Sequence, residues 1–166
     1  MNIKYRMANL NDIDDVYYLI NSAIKHMEEQ RIFQWDNIYP AKDNIKEDIE
    51  NNSLFIGLCN GQIVVSYTIN KDFDSEYKNG NWKYENSDFR IIHRLCVNPS
   101  FQNQGIAYST LLHIESELKK LNIESIRLDV FSENPFALRL YSNIGYKKVG
   151  IANWRKGLFF LMEKHL

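Results

Sequence analysis

The chain has 166 residues, 45% of them hydrophobic and 13% aromatic, which is material for one globular domain with a sizeable core and excludes a disordered tail protein. Its 20 basic and 21 acidic residues leave a formal charge of -1, so there is no basic stripe of the kind that neutralises nucleic-acid phosphates. No apolar run approaches the roughly 20 residues of a membrane span.

Residues 2 to 7 read as a short strand. Asn11, with Asp14 three residues on, gives a capping signal for a helix from Asp12 to Glu29, whose Ile13, Val16, Tyr17, Ile20, Ile24 and Met27 recur at spacings of three and four. Arg31 to Pro40 is an aromatic loop without periodicity, and Lys42 to Asn52 a second short helix. Ser53 to Cys59 and Gln62 to Ile69 form a hairpin around Asn60-Gly61, a pair suited to the two positive φ angles of a type I′ turn. Lys71 to Asp88 is polar and contains a second Asn-Gly, Asn79-Gly80, so a small solvent-facing hairpin or flap is expected there. Phe89 to Val97 is a buried strand stopped by Asn98-Pro99. A Gly-containing loop leads into a helix from Ile106 to Leu121, and Ser125 to Phe131 is a further strand. Asn134-Pro135 opens a last helix, which Gly145 closes. Strands Tyr146 to Asn153 and Leu158 to Glu163 complete a mixed, mostly antiparallel sheet of about seven strands with helices on both faces, in one domain over residues 1 to 166.

Cys59 and Cys96 sit in apolar strand-like runs and are expected to be buried thiols, not a disulfide framework or a metal site. No His/Cys/Asp/Glu spacing suits a metal. The first residues lack the apolar region of a signal peptide, so a cytoplasmic location is expected.

The segment from Leu95 to Ala107 carries the chemistry. A strand runs into a tight loop, and the loop into a helix start whose unpaired backbone N–H groups and positive dipole end can hold a pyrophosphate. Gly105 lets the backbone approach an anion closely. Gln102-x-x-Gly105-x-Ala107 after Leu95-x-Val97, followed by Asn134, Ala137, Tyr141, Gly145 and Tyr146 at their spacing, resembles the Gcn5-related N-acetyltransferase (GNAT) family. The resemblance runs from Ile3 to about Lys164.

The resemblance implies that the strand ending at Val97 splays from the strand Ser125 to Phe131, with acetyl-CoA in the gap. Leu95 and Val97 would pair with the pantetheine amides, the N–H groups of Gln102, Asn103, Gln104, Gly105, Ile106 and Ala107 would hold the diphosphate, and Asn134 would bond the pantetheine arm. Arg139 either reaches a phosphate or is a solvated helix charge. The stretch Ser100 to Ser109 carries no Lys or Arg, so phosphate binding would rest on backbone dipoles.

Acyl transfer to an amine needs a neutral amine, a polarised carbonyl and a proton for the leaving thiolate. Freeing the lone pair of a lysine-like ammonium at pH 7 costs roughly 4 to 5 kcal/mol. Tyr141 stands at the family's acid position; otherwise it packs with Ala137, Leu140 and Ile144. His93, placed by strand alternation on the face of Leu95 and Val97, is either a base or a structural histidine. Trp35, Tyr39 and Trp82 lie where the family builds its acceptor site, with core packing as the other reading. The expected activity is direct transfer from acetyl-CoA to a small amine or a peptide N-terminus; the alternative is a non-catalytic acyl-CoA sensor or partner-binding module. Family members often dimerise, and Trp154, Phe159 and Phe160 either face a second copy or close the chain's own core.

Overall fold

A computed structural model describes residues 2–166. Eleven regular elements follow the chain: β1 Lys4–Met7, α1 Ile13–Glu29, α2 Lys42–Glu50, β2 Leu54–Cys59, β3 Gln62–Asn70, β4 Phe89–Val97, α3 Ile106–Lys120, β5 Ser125–Phe131, α4 Pro135–Ile144, β6 Lys147–Trp154 and β7 Gly157–His165. The strands form a seven-stranded mixed sheet in the order β1-β2-β3-β4-β5-β7-β6, in which β4 and β5 are parallel. The chain divides into two compact units, the first made of residues up to Ile69 with Arg94–Thr110, the second of Asn70–His93 with Leu111–Leu166.

In the first unit β1 pairs with β2 from Lys4↔Leu58 to Met7↔Phe55, and β2 with β3 from Leu54↔Thr68 to Cys59↔Gln62. The hairpin turn is as the sequence predicts, with Asn60 at φ 50° and Gly61 at φ 83°. α1 buries Val16, Leu19, Ile20, Ala23 and Ile24, and α2 buries Ile45 and Ile49; these pack with Trp35, Leu54, Ile56, Ile63 and Cys96. The start of α1 differs from the expected cap. The capping box lies earlier, where Asn9 Oδ1 accepts from Asn11 N at 2.9 Å and Asp12 Oδ2 accepts from Asn9 N at 2.8 Å, and a 3-10 turn over Leu10–Asp12 then leads into the helix. Arg6 clamps the same Asp12 with two bonds of 2.7 and 2.8 Å. The carboxylate is thereby committed to the turn.

In the second unit β5 is paired on both sides. It runs parallel to β4 from Phe89↔Ser125 to Ile92↔Leu128 and antiparallel to β7 from Ser125↔His165 to Phe131↔Phe159. His93 and Asp129 stand first beyond the end of the parallel register. β6 pairs with β7 with a shift between Lys148 and Gly150. Gly145 closes α4 at φ 106°, where its N–H donates to Tyr141 O and Ser142 O.

The segment before β4 is neither a hairpin nor a flap. It forms a 3-10 turn over Ser75–Asn79, and Gly80 is extended at φ -79°, so this Asn-Gly makes no type I′ turn. Tyr77 is buried with Ile91, Ala152 and Leu161. Trp82 Nε1 donates to Tyr77 O, and Asn81 N to Val149 O, both at 2.8 Å. A Cβ on Gly150 would lie 2.6 Å from Asn79 O, so only glycine lets the turn settle against β6. The aromatic content of a polar stretch overrode its local turn signal. Of the two thiols, Cys96 is buried as expected, whereas Cys59 is only partly so.

Candidate active site

In the first unit, β4 delivers Leu95 and Val97 and then breaks at Asn98, whose side chain accepts from Ser100 N at 3.0 Å to start a short 3-10 turn over Pro99–Phe101. The loop that follows is twisted by two left-handed residues, Asn103 at φ 59° and Gly105 at φ 74°. Such alternation aims successive N–H groups at one point and makes an anion-binding concavity. α3 starts at Ile106, with Ser109 N donating to Gly105 O at 2.9 Å, so the N–H groups of the first turn precede any intrahelical acceptor. A Cβ added at Gly105 would meet nothing within 4 Å. The space over the glycine is open, and the donor set is backbone alone. That is a fit for a diphosphate. Gln102 turns its Nε2 towards Val97 O at 3.5 Å, while Asn103, Gln104 and Gly105 are exposed.

The aromatic loop belongs to the same unit. Trp35 is 8% exposed and part of the core, so its ring is packing, whereas Tyr39 is 39% exposed. Asp36 shapes the loop by accepting from Ile38 N at 3.0 Å and Tyr39 N at 3.2 Å, and its own N–H donates to Tyr39 O at 3.0 Å. Phe33 and Ile38 stay exposed beside it.

Arg94 and Asp48 are site residues that sequence reasoning missed. Arg94 Nη1 donates to Tyr39 Oη at 2.7 Å, and Arg94 Nη2 is in very short contact with Asp48 Oδ2, which also accepts from Thr68 Oγ1 at 2.9 Å. Burial pushes the guanidinium pKa down, but Tyr39 and Asp48 beside it more than reverse this, and the net shift is upward. The missed signal is an Asp inside an amphipathic helix at a position that faces inward. Arg94 also sits at φ 51° within a strand. Strand alternation does not carry through a left-handed residue, so alternation no longer assigns His93 the face of Leu95 and Val97.

In the second unit, His93 Nε2 lies 2.9 Å from Asn70 Oδ1, which also accepts from Asp72 N at 3.0 Å. The backbone donor identifies that Asn70 atom as the oxygen, so His93 Nε2 carries a hydrogen and, in the neutral ring, Nδ1 carries the lone pair. Tyr141 is 8% exposed and meets Tyr146 edge to face at 5.7 Å. Burial, with a contribution from the charge of Asp129, raises its pKa well above the ordinary phenol value. Asp129 is a second missed residue. It is the one incompletely buried position on β5 and accepts from Tyr77 Oη at 2.8 Å.

Asn134 caps α4 by accepting from Ala137 N at 3.1 Å, and Arg139 is exposed on the same helix. Trp82 stacks on Tyr77 at 5.5 Å, with the Arg127 guanidinium 4.4 Å from its ring, so it is held by packing. Phe159 meets Phe131 at 5.2 Å and Trp154 at 5.0 Å, and Lys148 Nζ lies 3.6 Å from the Phe160 ring. Phe159 and Trp154 thus pack within the unit, whereas Phe160 is half-buried beneath an exposed lysine. Among the described residues no group of three metal-binding side chains occurs and no helix is long and apolar enough to cross a membrane.

The model of the Acetyltransferase (GNAT) family matches residues 11–146. The [ribosomal protein bS18]-alanine N-acetyltransferase of Escherichia coli (strain K12) is 30% identical over 64 residues, which are 39% of this chain and 43% of that protein. The match thus spans less than half the length of this curated relative. Among solved structures, a GNAT-family acetyltransferase from Streptococcus agalactiae superposes with a TM-score of 0.85 at 21% identity, covering 99% of this chain and 95% of that one. The ribosomal-protein-S18-alanine N-acetyltransferase from Escherichia coli gives 0.74 at 17% over 99% and 94%. The PaiA N-acetyltransferase of Thermoplasma acidophilum, solved in complex with coenzyme A, gives 0.73 at 18% over the whole of both chains. At these identities the likeness speaks to the fold.

Proposed function

Because the chain belongs to the Acetyltransferase (GNAT) family, we propose that its residues form one acetyl-CoA-dependent N-acetyltransferase domain, which transfers acetyl to a primary amine by direct attack in a ternary complex. The observation that carries this reading is the phosphate cradle: a left-handed Gly105 with open space over its Cβ position at the first turn of α3. Acetyl-CoA supplies an acyl group activated as a thioester. The N–H groups from Gln102 to Ala107 hold its diphosphate, and the backbone of Leu95 and Val97 pairs with the pantetheine amides as an added strand would. Asn134, whose oxygen also caps α4, hydrogen-bonds the pantetheine arm.

The amine nitrogen bonds to the acyl carbon, the carbon–sulfur bond breaks, and the thiolate takes a proton. Tyr141 is the donor. Its raised pKa keeps it protonated throughout the neutral range, and the same dry surroundings that disfavour its phenolate also disfavour a bare thiolate. His93 takes the proton that the amine must shed. The acceptor is a small amine or a peptide N-terminus. The exposed Phe33, Ile38 and Tyr39 beside Asp36 suit an apolar group next to an ammonium, and the curated relative acts on a ribosomal-protein alanine.

The test is release of free CoA from acetyl-CoA with a panel of aromatic, aliphatic and polyamine substrates and a hexapeptide beginning with alanine. Release above the amine-free rate for at least one member supports transfer. Tight CoA binding without release from any would replace it by an acyl-CoA sensor on the same fold.

A further inference from the structure

Glu115 lies on the buried stripe of α3, in line with Leu111, Ile114 and Leu118, where an apolar residue would pack as well. Both its oxygens accept from Lys164 Nζ on β7, at 2.8 and 2.6 Å, and the carboxylate side chain is 8% exposed. The pairs Lys46–Glu50 and Lys120–Glu117, by contrast, lie on the surface with both partners exposed. Replacing a buried ion pair by apolar residues often leaves stability unchanged or raises it, so stability alone does not account for this one. What such a pair supplies is fixed geometry.

The pair grips the residues that close α4. The alkyl stem of Lys164 passes over Gly145, where an added Cβ would lie 3.6 Å from Cε, and its Nζ stands 5.7 Å from the centre of the Tyr146 ring. Burial first, and then the charge of Glu115, raise the Tyr146 hydroxyl well above the ordinary phenol range, so the carboxylate acts on that hydroxyl as well. Gly145 N and Tyr146 N in turn both donate to Tyr141 O, at 3.2 and 3.0 Å, and the Tyr146 ring meets the Tyr141 ring edge to face. All of these residues belong to the second unit. Backbone and ring thus connect the ion pair to Tyr141 through two intervening residues.

We propose that Glu115 and Lys164 are positioning residues for Tyr141: their ion pair fixes the Gly145-Tyr146 end of α4 and, through it, the direction in which the phenol meets the leaving thiolate. The inference rests on Tyr141 as the proton donor, proposed above. A misplacement of about 1 Å in a reacting group costs on the order of 100-fold in rate, so a partial loosening of this end should be visible in turnover.

The test replaces the pair by apolar residues, Glu115→Leu together with Lys164→Met, in the wild type and in Tyr141→Phe. With Tyr141 present, the double replacement should keep the urea midpoint near wild type and CoA binding within about twofold, while kcat falls about 10-fold. In Tyr141→Phe the same replacement should change the residual kcat less than about twofold, because the group that the pair positions is already gone. If the double variant is unfolded by circular dichroism, Glu115→Gln, which keeps one oxygen for the ammonium, carries the same comparison: a loss of about 3-fold in kcat with Tyr141 and none without it. Equal losses in the two backgrounds, the mark of a merely structural pair, overturn the positioning role, and so does an unchanged kcat in the presence of Tyr141. Wild-type turnover in Tyr141→Phe alone would instead remove the proton-donor reading beneath the inference, and no transfer by the wild type would remove the transferase reading, each a separate and recognisable outcome.

Discussion

Tyr77 donates its hydroxyl to Asp129 at 2.8 Å, which ties the buried 3-10 turn before β4 to the one incompletely buried position on β5. Asp129 also acts on Tyr141, whose pKa its charge helps to raise. Tyr77→Phe should cost about 0.5–1.5 kcal/mol of stability, read from the midpoint of urea unfolding. Tyr77→Ala, which also empties the space under Trp82, should cost about 3–5 kcal/mol. Equal costs for the two variants would show that the hydroxyl bond, not the ring, holds the turn.

Tyr141→Phe should lower kcat by about 10²–10⁴ while changing the acetyl-CoA dissociation constant less than about threefold. Turnover at the wild-type rate would remove Tyr141 from the reaction and leave it to pack against Tyr146.

Burial raises Cys96 from 9.0 to about 12. The sign follows from linkage: the unfolded chain loses this proton first, so the contribution is fully present below about pH 9 and is lost as pH rises towards about 12. Tyr141 and Tyr146, both raised by burial, act in the same direction above about pH 10. Stability measured between pH 8 and 11 should fall steadily. At pH 8 a thiol reagent should titrate the half-buried Cys59 and leave Cys96 unmodified until the chain unfolds. Two equivalents taken up by native protein would contradict that burial.

Coenzyme A affinity should depend weakly on salt, because the residues from Ser100 to Ser109 include no cation. Between about 50 and 500 mM NaCl the dissociation constant should move less than about threefold, since backbone dipoles are short-ranged and partly shielded from solvent. Calorimetric titration is the direct measurement, and a tenfold loss would point to a lysine or arginine outside the loop. Gly105→Ala should add about 1 kcal/mol of backbone strain. Its larger effect should fall on coenzyme A binding, since the new methyl enters open space.

His93→Ala should abolish the acidic limb of the kcat/KM profile if His93 receives the amine proton. An intact limb would leave His93 as a support for the turn at Asn70 and Asp72.

Much of the fold was legible because its signals are local. Asn60-Gly61 forms its turn, Gly105 and Gly145 adopt positive φ, and Asn134-Pro135 opens α4 as read. The failures are non-local. Asn79-Gly80 looks like the other Asn-Gly, yet it lies flat because Tyr77 and Trp82 are drawn into the core. The position of Trp82 in the chain points to the acceptor site, but its packing against Arg127 depends on a partner 45 residues along the sequence. Arg94 and Asp48 are 46 residues apart. Nothing local announces that pair, and period-two reasoning fails at the left-handed residue it passes through.

The placement of the three tryptophans gives the molecule a built-in optical label. Trp82 and Trp154 both belong to the second unit, packed with Tyr77, whereas Trp35 is alone in the first. Replacing Trp82 and Trp154 by phenylalanine would leave a single emitter four residues from Tyr39. Its spectrum would report the aromatic loop without added dye, and its quenching would follow ligand arrival in real time.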